Sequence, residues 1–300
     1  MYGISGTITQ NGAAFQDVEV VCYTRTYPRV LISRQFTNAS GFYQFSGLVN
    51  GTEYTVIAFD PTGGTSFNAQ VLDKMTPVVM SPVDTHWESV QALLLNDAAA
   101  SGSVTFFDES TTVKKTVTKS GDAAYSSTNP PTGLATAGAF DGTGDYIDID
   151  AAAGNNLAFN GDYTLEGYFR YNTLTGTQVL MDMRPTGGSQ LNPLLYSNGT
   201  NLLFHCLNAT RITGSLPTVS TWAHIAVARS GSSTKLFLDG VQTGSTWTDS
   251  TSLAASDLRI AQAGDGSSTG NFRAAGIRVT KGAARYTANF TSPTLPLTRN

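Results

Sequence analysis

Apolar and polar residues alternate with a period of two in short runs along the first part of the chain. One run covers residues 4–9 and ends at Asn11-Gly12, and the next covers residues 18–24. Such alternation is typical of a β-strand with one buried face, and an Asn-Gly pair supplies the two positive φ angles of a tight hairpin turn. Further alternating runs follow, separated by turns that contain glycine. The pattern predicts strands and turns in this region.

The alternation is clearest in the second half of the chain. In the segment YTLEGYFRY, residues 163–171, every second position is apolar or glycine. Residues 235–238 lead into Asp239-Gly240, a second pair typical of a tight hairpin. No segment has a sustained helical period. Because 300 residues are enough for two cores of ordinary size, we predict an all-β chain of two tandem β-sandwiches.

Residues 79–92 interrupt the alternation and contain Pro82. Domain boundaries commonly fall in segments of this kind. We therefore predict a first sandwich over residues 1–78, a linker over 79–92 and a second sandwich over 93–300, which opens with a short buried strand at residues 93–95. Trp87 lies inside the predicted linker, and we expect it to be a partly buried aromatic residue of that strand rather than an anchor between the domains.

The first of these regions resembles a known family. Its segments ISGTITQNGAAFQDVEVVCYT and TNASGFYQFSGLVNGTEYTVIAFDP follow the order of turns and strands in the carboxypeptidase-regulatory-like, prealbumin-type β-sandwich. That family is a non-catalytic spacer or docking module. The resemblance therefore implies that residues 1–78 are a mount for the rest of the chain.

The second region resembles the laminin-G-like, concanavalin A-type jelly roll. Six segments carry this resemblance in the family's order: FDGTGDYIDI, YTLEGYFRYNTLTGTQVLMDMR, WAHIAVARSG, LFLDGVQTGS, LRIAQAGDG and IRVTKGAARYTANFTSPTLPL. The last of them is similar to a variant common in the structural proteins of tailed bacteriophages. The resemblance implies a location in the virion, assembled in the bacterial cytoplasm and exposed on the released particle, with other virion structural proteins as partners.

Composition excludes several other classes of protein. Only 13% of residues are charged, the formal net charge is −4, and no cluster of Lys and Arg is present, so we expect no nucleic-acid partner. No apolar stretch approaches the length that spans a bilayer, and the first residues lack the pattern of a signal peptide, so we expect no membrane insertion. Cys22 and Cys206 lie in different predicted domains and are expected to be buried free thiols.

Catalysis is not expected. Glycoside hydrolases on jelly rolls need two carboxyl groups about 5–10 Å apart. The corresponding central strand of this chain offers Glu166 alone, with Tyr168 and Arg170 at the same parity. A nearby arginine lowers the pKa of a carboxyl group, which suits an ion pair and not a general acid. We predict that the protein is not an enzyme.

Calcium is the cofactor that a laminin-G-like resemblance most often implies. Asp145, Asp148 and Asp150 are the candidate ligands, and Asp141 and Asp265 are further oxygen donors on neighbouring loops. The resemblance also implies an acidic pair before IRVTKG, where this chain has Ala275-Gly276 instead. Because turn-capping aspartates explain the same residues, we expect no cofactor and do not favour a metal.

Sugar recognition requires an aromatic platform with amide and charged groups around it, usually on loops. Three loop regions rich in Gly and Asn supply candidates for such a site, and these are Tyr196, Asn198, Asn208, Arg211, Asp265, Asn271 and Arg273.

Two functional hypotheses follow. In the first, the chain is a tail-tip or tail-fibre component of a phage particle, with a lectin-like domain that binds host-surface carbohydrate. In the second, it is a capsid decoration or other architectural component whose jelly roll makes only protein–protein contacts. Both predict a homo-oligomer in the particle.

Overall fold

The computed structural model describes residues 2–59, 69–79, 84–97, 99–110, 114–150, 157–184, 190–254 and 256–299. The chain forms two units, residues 1–83 and 84–300. The described part is almost entirely antiparallel β-structure, which confirms the predicted fold class. Among the described residues, no helix has the length and apolar character needed to cross a bilayer.

The described part of the first unit contains nine strands. In chain order they are β1 (Tyr2–Thr7), β2 (Thr9–Gln10), β3 (Ala13–Ala14), β4 (Glu19–Thr24), β5 (Leu31–Phe36), β6 (Phe42–Ser46), β7 (Tyr54–Phe59), β8 (Ala69–Met75) and β9 (Val78–Val79). One sheet has the order β6-β1-β9 and another has the order β5-β4-β7-β8. Side chains of both sheets share one core, which includes Ile4, Val20 and Phe45. Asn11 and Gly12 both have positive φ and close the predicted hairpin between β2 and β3.

The second unit begins with a 3₁₀ turn at Trp87–Ser89 and contains fifteen strands in its described part. They are β10 (Val90–Leu94), β11 (Val117–Ser120), β12 (Ala124–Ser126), β13 (Ala137–Asp141), β14 (Tyr146–Ile149), β15 (Tyr163–Tyr171), β16 (Gln178–Asp182), β17 (Leu194–Ser197), β18 (Leu202–Cys206), β19 (Ala209–Gly214), β20 (Ala223–Ser230), β21 (Ser233–Leu238), β22 (Val241–Thr248), β23 (Leu258–Ile260) and β24 (Asn271–Lys281).

Two large sheets enclose the core of this unit. The first, which we call sheet I, has the order β12-β13-β24-β15-β20-β21-β22, and β10 also pairs with β24. The second, sheet II, has the order β11-β14-β23-β16-β17-β18-β19. Apolar side chains of both sheets interdigitate in one cluster, with Phe169 and Phe272 from sheet I and Phe204 and Ile260 from sheet II. In β15 the predicted apolar face is the one that enters this core.

The predicted linker needs correction over residues 84–92, which belong to the second unit. Trp87 is buried there in a small apolar cluster with Val90 and Leu297. Strand β10 pairs with β24 and begins three residues before the predicted first strand of this domain. Because Ala92, Leu93 and Leu94 are buried one after another, β10 has no sustained apolar–polar alternation that would mark where it begins.

The chain after β24 packs against the outer face of sheet I. We call residues 283–297 the C-terminal segment. Tyr286 and Phe290 stack with ring centroids 3.6 Å apart and pack against Phe237. Further along, the Tyr168 hydroxyl donates to the carbonyl of Pro293, and Asn96 Nδ2 donates to the carbonyl of Leu297 (3.0 Å). The segment thus covers this face around Glu166 and Phe237. We call the partly exposed remainder, around Arg170, Trp222 and Arg273, the open half.

Candidate functional site

Under the C-terminal segment, the outer face of sheet I holds a buried network of charges centred on Glu166. This residue, on β15, has no exposed surface. Arg278 Nε donates to its Oε1 (2.8 Å), and Tyr286 Oη donates to its Oε2 (2.7 Å). His224 Nε2 lies 3.0 Å from the same Oε2, a pairing in which the ionised carboxylate accepts and the ring nitrogen donates. Glu166 is therefore an enclosed ion-pair member.

The network extends to the first residue of the second unit. Arg285 forms a two-pronged ion pair with Asp84, with N–O distances of 2.7 and 2.8 Å. Arg278 Nη1 also donates to Asp84 (3.1 Å), so Arg278 bridges Asp84 and Glu166. Two carboxylates thus balance two guanidinium groups. The charges tie residue 84 and the C-terminal segment to β15 and β24.

This environment fixes the ionisation of Glu166. Burial alone would raise its pKa, but the charge of Arg278 and the hydrogen bond to His224 outweigh burial and hold the pKa of Glu166 well below its usual range. The expected ion pair therefore exists, although its arginine is Arg278 on β24 and not Arg170. A carboxylate that is enclosed and ionised in this way is unsuited to act as a general acid.

The open half of sheet I carries a different set of side chains. Arg170 and Arg273 are register partners on β15 and β24. Phe169 pairs with Ala223, and continuing this register by one residue places Trp222 opposite Arg170. All three side chains point away from the core, because their neighbours Phe169 and Phe272 point into it.

Arg273 lines a groove of about 320 Å³ that runs along β12 and β13. Its lining includes two amides and three carboxylates, from Asn172, Asn271, Asp122, Asp141 and Asp145. Asn172 Nδ2 donates to Asn271 Oδ1 (2.8 Å), which orients both amides. The groove therefore offers both donors and acceptors within a short distance.

A larger cleft of about 620 Å³, which we call the rim cleft, shares Asp141 and Asn271 with this groove. Hydroxyl groups dominate its lining, which includes Thr143, Thr173, Thr175, Thr177, Ser267, Ser268 and Thr269. Buried Gln178 organises the wall: its Nε2 donates to the carbonyl of Thr173 (2.6 Å), and its Oε1 accepts from the N–H of Asn271 (3.0 Å). The cleft is polar and is built from three loops that meet at one end of the sheets.

One group of carboxylates in the groove has the spacing of a metal site. Oxygens of Asp122, Asp141 and Asp145 lie within 4.8 Å of one another. However, Asp145, which is 2% exposed, already accepts from the N–H of Asp122 (2.7 Å) and of Asp141 (3.1 Å). Asp141 also accepts from the N–H of Thr143 (2.6 Å). Calcium requires six to eight oxygens, so this set, occupied by backbone donors, fits the ion poorly.

The predicted metal ligands are only partly brought together. Asp145 is in the carboxylate group just described, but Asp148 and Asp150 are not. Asp148 instead forms a two-pronged ion pair with Arg259, with distances of 2.6 and 2.7 Å. Asp150 is exposed at the end of β14. The strand geometry explains this, because β14 carries Asp148 and Asp150 away from the loop of Asp145 by about 3.3 Å per residue.

The structure explains why glycine stands at position 276, where the resemblance implies an acidic residue. Gly276 has φ +56°, and a Cβ there would lie 2.5 Å from a side-chain carbon of Leu295 in the C-terminal segment. An acidic side chain at this position would displace that segment.

Two of the seven predicted sugar-binding residues lie in the described clefts. Asn271 lines both, and Arg273 lines the smaller groove. Tyr196 lies elsewhere, on sheet II, where it packs against Val179, Leu194 and Ala263. The predicted sugar-binding residues therefore do not lie together in one site.

The remaining four residues serve turns and hairpins. Asn198 Oδ1 accepts from the N–H groups of residues 200 and 201, and Asp265 Oδ1 accepts from Ser267 (3.0 Å to N). Asn208 has φ 62° in the β18–β19 turn. Arg211 donates to the carbonyls of residues 206 and 207 and lies over the ring of Trp247. Asn and Asp at loop tips commonly play this role, and the sequence could not separate it from ligand binding.

Sequence reasoning did not identify the remaining side chains of the open half as a site. Trp222, Asn172 and Gln178 each stand one residue before or after a strand, or at its first position. Extending the alternation of β15 beyond Tyr171 would have placed Asn172 at the loop end. Nothing in the sequence placed Arg273 beside Arg170, because that depends on pairing between distant strands.

Residues 141–283 match the family described as the concanavalin A-like lectin/glucanases superfamily, Laminin_G_3. The second unit contains a concanavalin A-like jelly roll. Its matched residues include Asp141, Gln178, Asn271 and Arg273 of the clefts, as well as Glu166. A search of curated protein sequences returns no match.

Solved structures with a similar fold include binding domains of botulinum neurotoxins and of a mosquitocidal protein. The botulinum neurotoxin serotype C1 binding domain is 12% identical, with a TM-score of 0.50 over 65% of this chain and 49% of that chain. The binding domain of Paraclostridial Mosquitocidal Protein 1 is 12% identical, with a TM-score of 0.51 over 67% and 51%. A botulinum neurotoxin DC binding domain in complex with rat synaptotagmin II is 11% identical, with a TM-score of 0.50 over 65% and 49%. The chain spans about half the length of these structures, and the likeness concerns the fold.

Proposed function

We propose that the protein is a non-enzymatic carbohydrate-binding component of a bacteriophage particle, and that its jelly roll binds host-surface glycan in the rim cleft and the adjoining groove. The observation that carries this proposal is the joined pair of clefts on the jelly roll, which share Asp141 and Asn271 and present hydroxyls, amides and carboxylates. Sugars carry many hydroxyl groups, each of which can donate and accept, so a dense mixed lining of this kind suits them.

The fold family supports the class of ligand, because its description includes lectins and glucanases. The absence of catalysis is part of the proposal. In support of it, Glu166 is enclosed and ion-paired in the part of the sheet that the C-terminal segment covers.

The place of the protein in a virion rests on the resemblance of the segment at residues 277–294 to phage structural proteins. The division into two units supports a mount followed by a displayed domain. In this arrangement residues 1–83 attach to other virion proteins and the jelly roll faces the host. Oligomerisation in the particle belongs to the same proposal.

The test is binding of the purified full chain to a panel of bacterial surface polysaccharides and defined oligosaccharides, measured by calorimetry. Asn271→Ala removes an amide shared by both clefts and is expected to weaken binding about tenfold or more, since a hydrogen-bonding partner of the sugar is lost. Asn208→Gly is the matched control, because it removes an amide at the β18–β19 turn while keeping a residue that tolerates positive φ.

Loss of binding in Asn208→Gly with full binding in Asn271→Ala would move the site to that hairpin and overturn its assignment to the two clefts. Failure of the wild-type chain to bind any glycan of the panel would overturn the carbohydrate role. It would favour the architectural alternative, in which the jelly roll contacts only proteins.

A further inference from the structure

Arg170 and Arg273 lie side by side on the open half of sheet I without a partner for either charge. They are direct register partners on β15 and β24, with their side chains on the same outer face. Neither forms a hydrogen bond or an ion pair with a residue that the structure describes. Two other arginines at this outer face, Arg278 of β24 and Arg285 of the C-terminal segment, have carboxylate partners.

The guanidinium group of Arg273 is partly enclosed and lacks hydrogen-bond acceptors in the described part of the chain. Its Nε and Nη1 atoms are enclosed and have no acceptor among the described residues. Burial, and then the charge of Arg170, lower the pKa of the Arg273 guanidinium. An enclosed donor without an acceptor destabilises the free protein. When an anion enters and supplies acceptor oxygens, the same donors stabilise the complex. A carboxylate suits them especially well, because a guanidinium binds it with two parallel hydrogen bonds.

The surroundings restrict the anion. Asp122, Asp141 and Asp145 line the same groove as Arg273, so a group with two or more negative charges would be repelled by three carboxylates. A ligand with one carboxylate and many hydroxyl groups suits both the arginines and the aspartates. Its carboxylate can accept from the arginines, and its hydroxyls can donate to the aspartates.

Aromatic side chains flank the arginine pair on its other side. Trp222 and Tyr168 line a neighbouring groove of about 330 Å³, in which apolar surface predominates, together with Pro131 and residues 292–295. Trp222 Nε1 donates to the carbonyl of Asn129 (3.0 Å), which fixes the indole. The apolar face of a sugar ring packs well on such a surface.

We propose that the ligand of this site is an acidic sugar, with its carboxylate held between Arg170 and Arg273 and its hydroxyls directed to Asp141 and Asn271. This inference rests on the proposed carbohydrate-binding function and names the class of glycan.

The test compares each acidic probe with its own uncharged form. Sialyllactose, oligogalacturonate and a glucuronate-containing oligosaccharide are titrated against the full chain, each beside the same compound with its carboxylates reduced to alcohols. We expect at least one acidic probe to bind about tenfold or more tightly than its reduced form, as for the loss of a charge-assisted hydrogen bond. We also expect the preference to shrink as salt is added.

Variants locate the effect. Arg170→Met combined with Arg273→Met is expected to remove the preference for the acidic form and to leave the weaker binding of the reduced form. Arg29→Met, an exposed arginine of the first unit, is the control and is expected to change neither. Arg273→Met is expected to unfold at a temperature no lower than the wild type, because it removes a charge that is unpaired in the free protein.

Equal binding of acidic and reduced probes would overturn the acidic-sugar inference while leaving the proposed function in place. So would a preference that survives in the double variant, or tight binding of only sulfated or phosphorylated sugars. Binding of neither form, and of no neutral glycan in the wider panel, would overturn the proposed function as well.

Discussion

At the scale of single residues, the environment of Glu166 depends on side chains from three other parts of the chain. Arg278 comes from β24, His224 from β20 and Tyr286 from the C-terminal segment. Arg278 also joins Glu166 to Asp84. Removing one member leaves the others buried with an unbalanced charge, and this costs far more than breaking an exposed pair.

Glu166→Gln is therefore expected to lower the free energy of unfolding of the jelly roll by about 3–5 kcal/mol. The three tryptophans all lie in the second unit, so tryptophan fluorescence during denaturant unfolding reports on it. Glu88→Gln, at an exposed carboxylate, is the control and should change the value by less than about 0.5 kcal/mol. Two variants of equal stability would contradict the structural role of the network.

The same carboxylates determine a pH dependence. The pKa values of Glu166 and Asp84 are both lowered in the folded protein, so the unfolded chain binds protons at a higher pH than the folded chain does. Their contribution is complete above about pH 5 and is lost as the pH falls through the unfolded values near 4 towards the lower folded values. The wild type should lose more stability than Glu166→Gln over this range, as denaturant unfolding at a series of pH values would measure.

At the scale of elements, β24 depends on one glycine. The register of β15 and β24 shifts between Glu166 and Tyr168, and Gly276 lies opposite this irregularity with φ +56°. Its N–H donates to the carbonyl of Leu95 (2.9 Å), and Leu295 packs directly above it. The position therefore combines a backbone conformation that favours glycine with a close approach of the C-terminal segment.

Gly276→Ala is expected to destabilise the jelly roll by about 2–4 kcal/mol, since it adds both backbone strain and a clash with Leu295. Gly144→Ala is a matched control: its φ of +76° is similar, but nothing lies within 4 Å of the added Cβ. It should cost only the strain, about 1–2 kcal/mol. Equal losses of stability in the two variants, measured by denaturant unfolding, would show that Leu295 does not press on Gly276.

At the scale of the whole molecule, the second unit begins at Asp84, earlier than the predicted residue 93. A fragment of residues 84–300 retains Asp84 and Trp87, whereas one of residues 88–300 loses the partner of Arg285 and part of the buried apolar cluster. The longer fragment is expected to unfold several degrees higher, in line with the loss of a buried ion pair. Thermal unfolding of both fragments and of full-length Asp84→Asn checks this, and equal melting temperatures would contradict it.

The sequence was informative wherever local geometry decides the outcome. The core face of Tyr163–Tyr171 and the hairpins at Asn11-Gly12 and Asp239-Gly240 follow from strand alternation and from the residues that tolerate positive φ. The start of β10 was missed because the buried apolar run from Ala92 to Leu95 does not alternate and so does not mark where the strand begins.

The candidate site was predicted only in part, for a different physical reason. Asn271 and Arg273 were recognised as single loop candidates, but their partners Arg170, Asn172 and Gln178 come from strands about a hundred positions away. Which strands become neighbours in a sheet depends on the packing of the whole core and not on local pattern. Tyr196 and Arg211 had the right chemistry and proved to lie in other places.

The position of β24 in the sheet has a consequence for synthesis on the ribosome. This strand is the last of the described strands in chain order, yet it lies between β13 and β15 and also pairs with β10. The edges of β10, β13 and β15 that pair with β24 therefore stay unpaired until residues 271–281 emerge. The first unit can complete its sheets before then. Exposed edges invite pairing with other chains. Translation that stops before residue 271 should thus yield a folded first unit attached to an aggregation-prone remainder, a product that cellular quality control can recognise and remove.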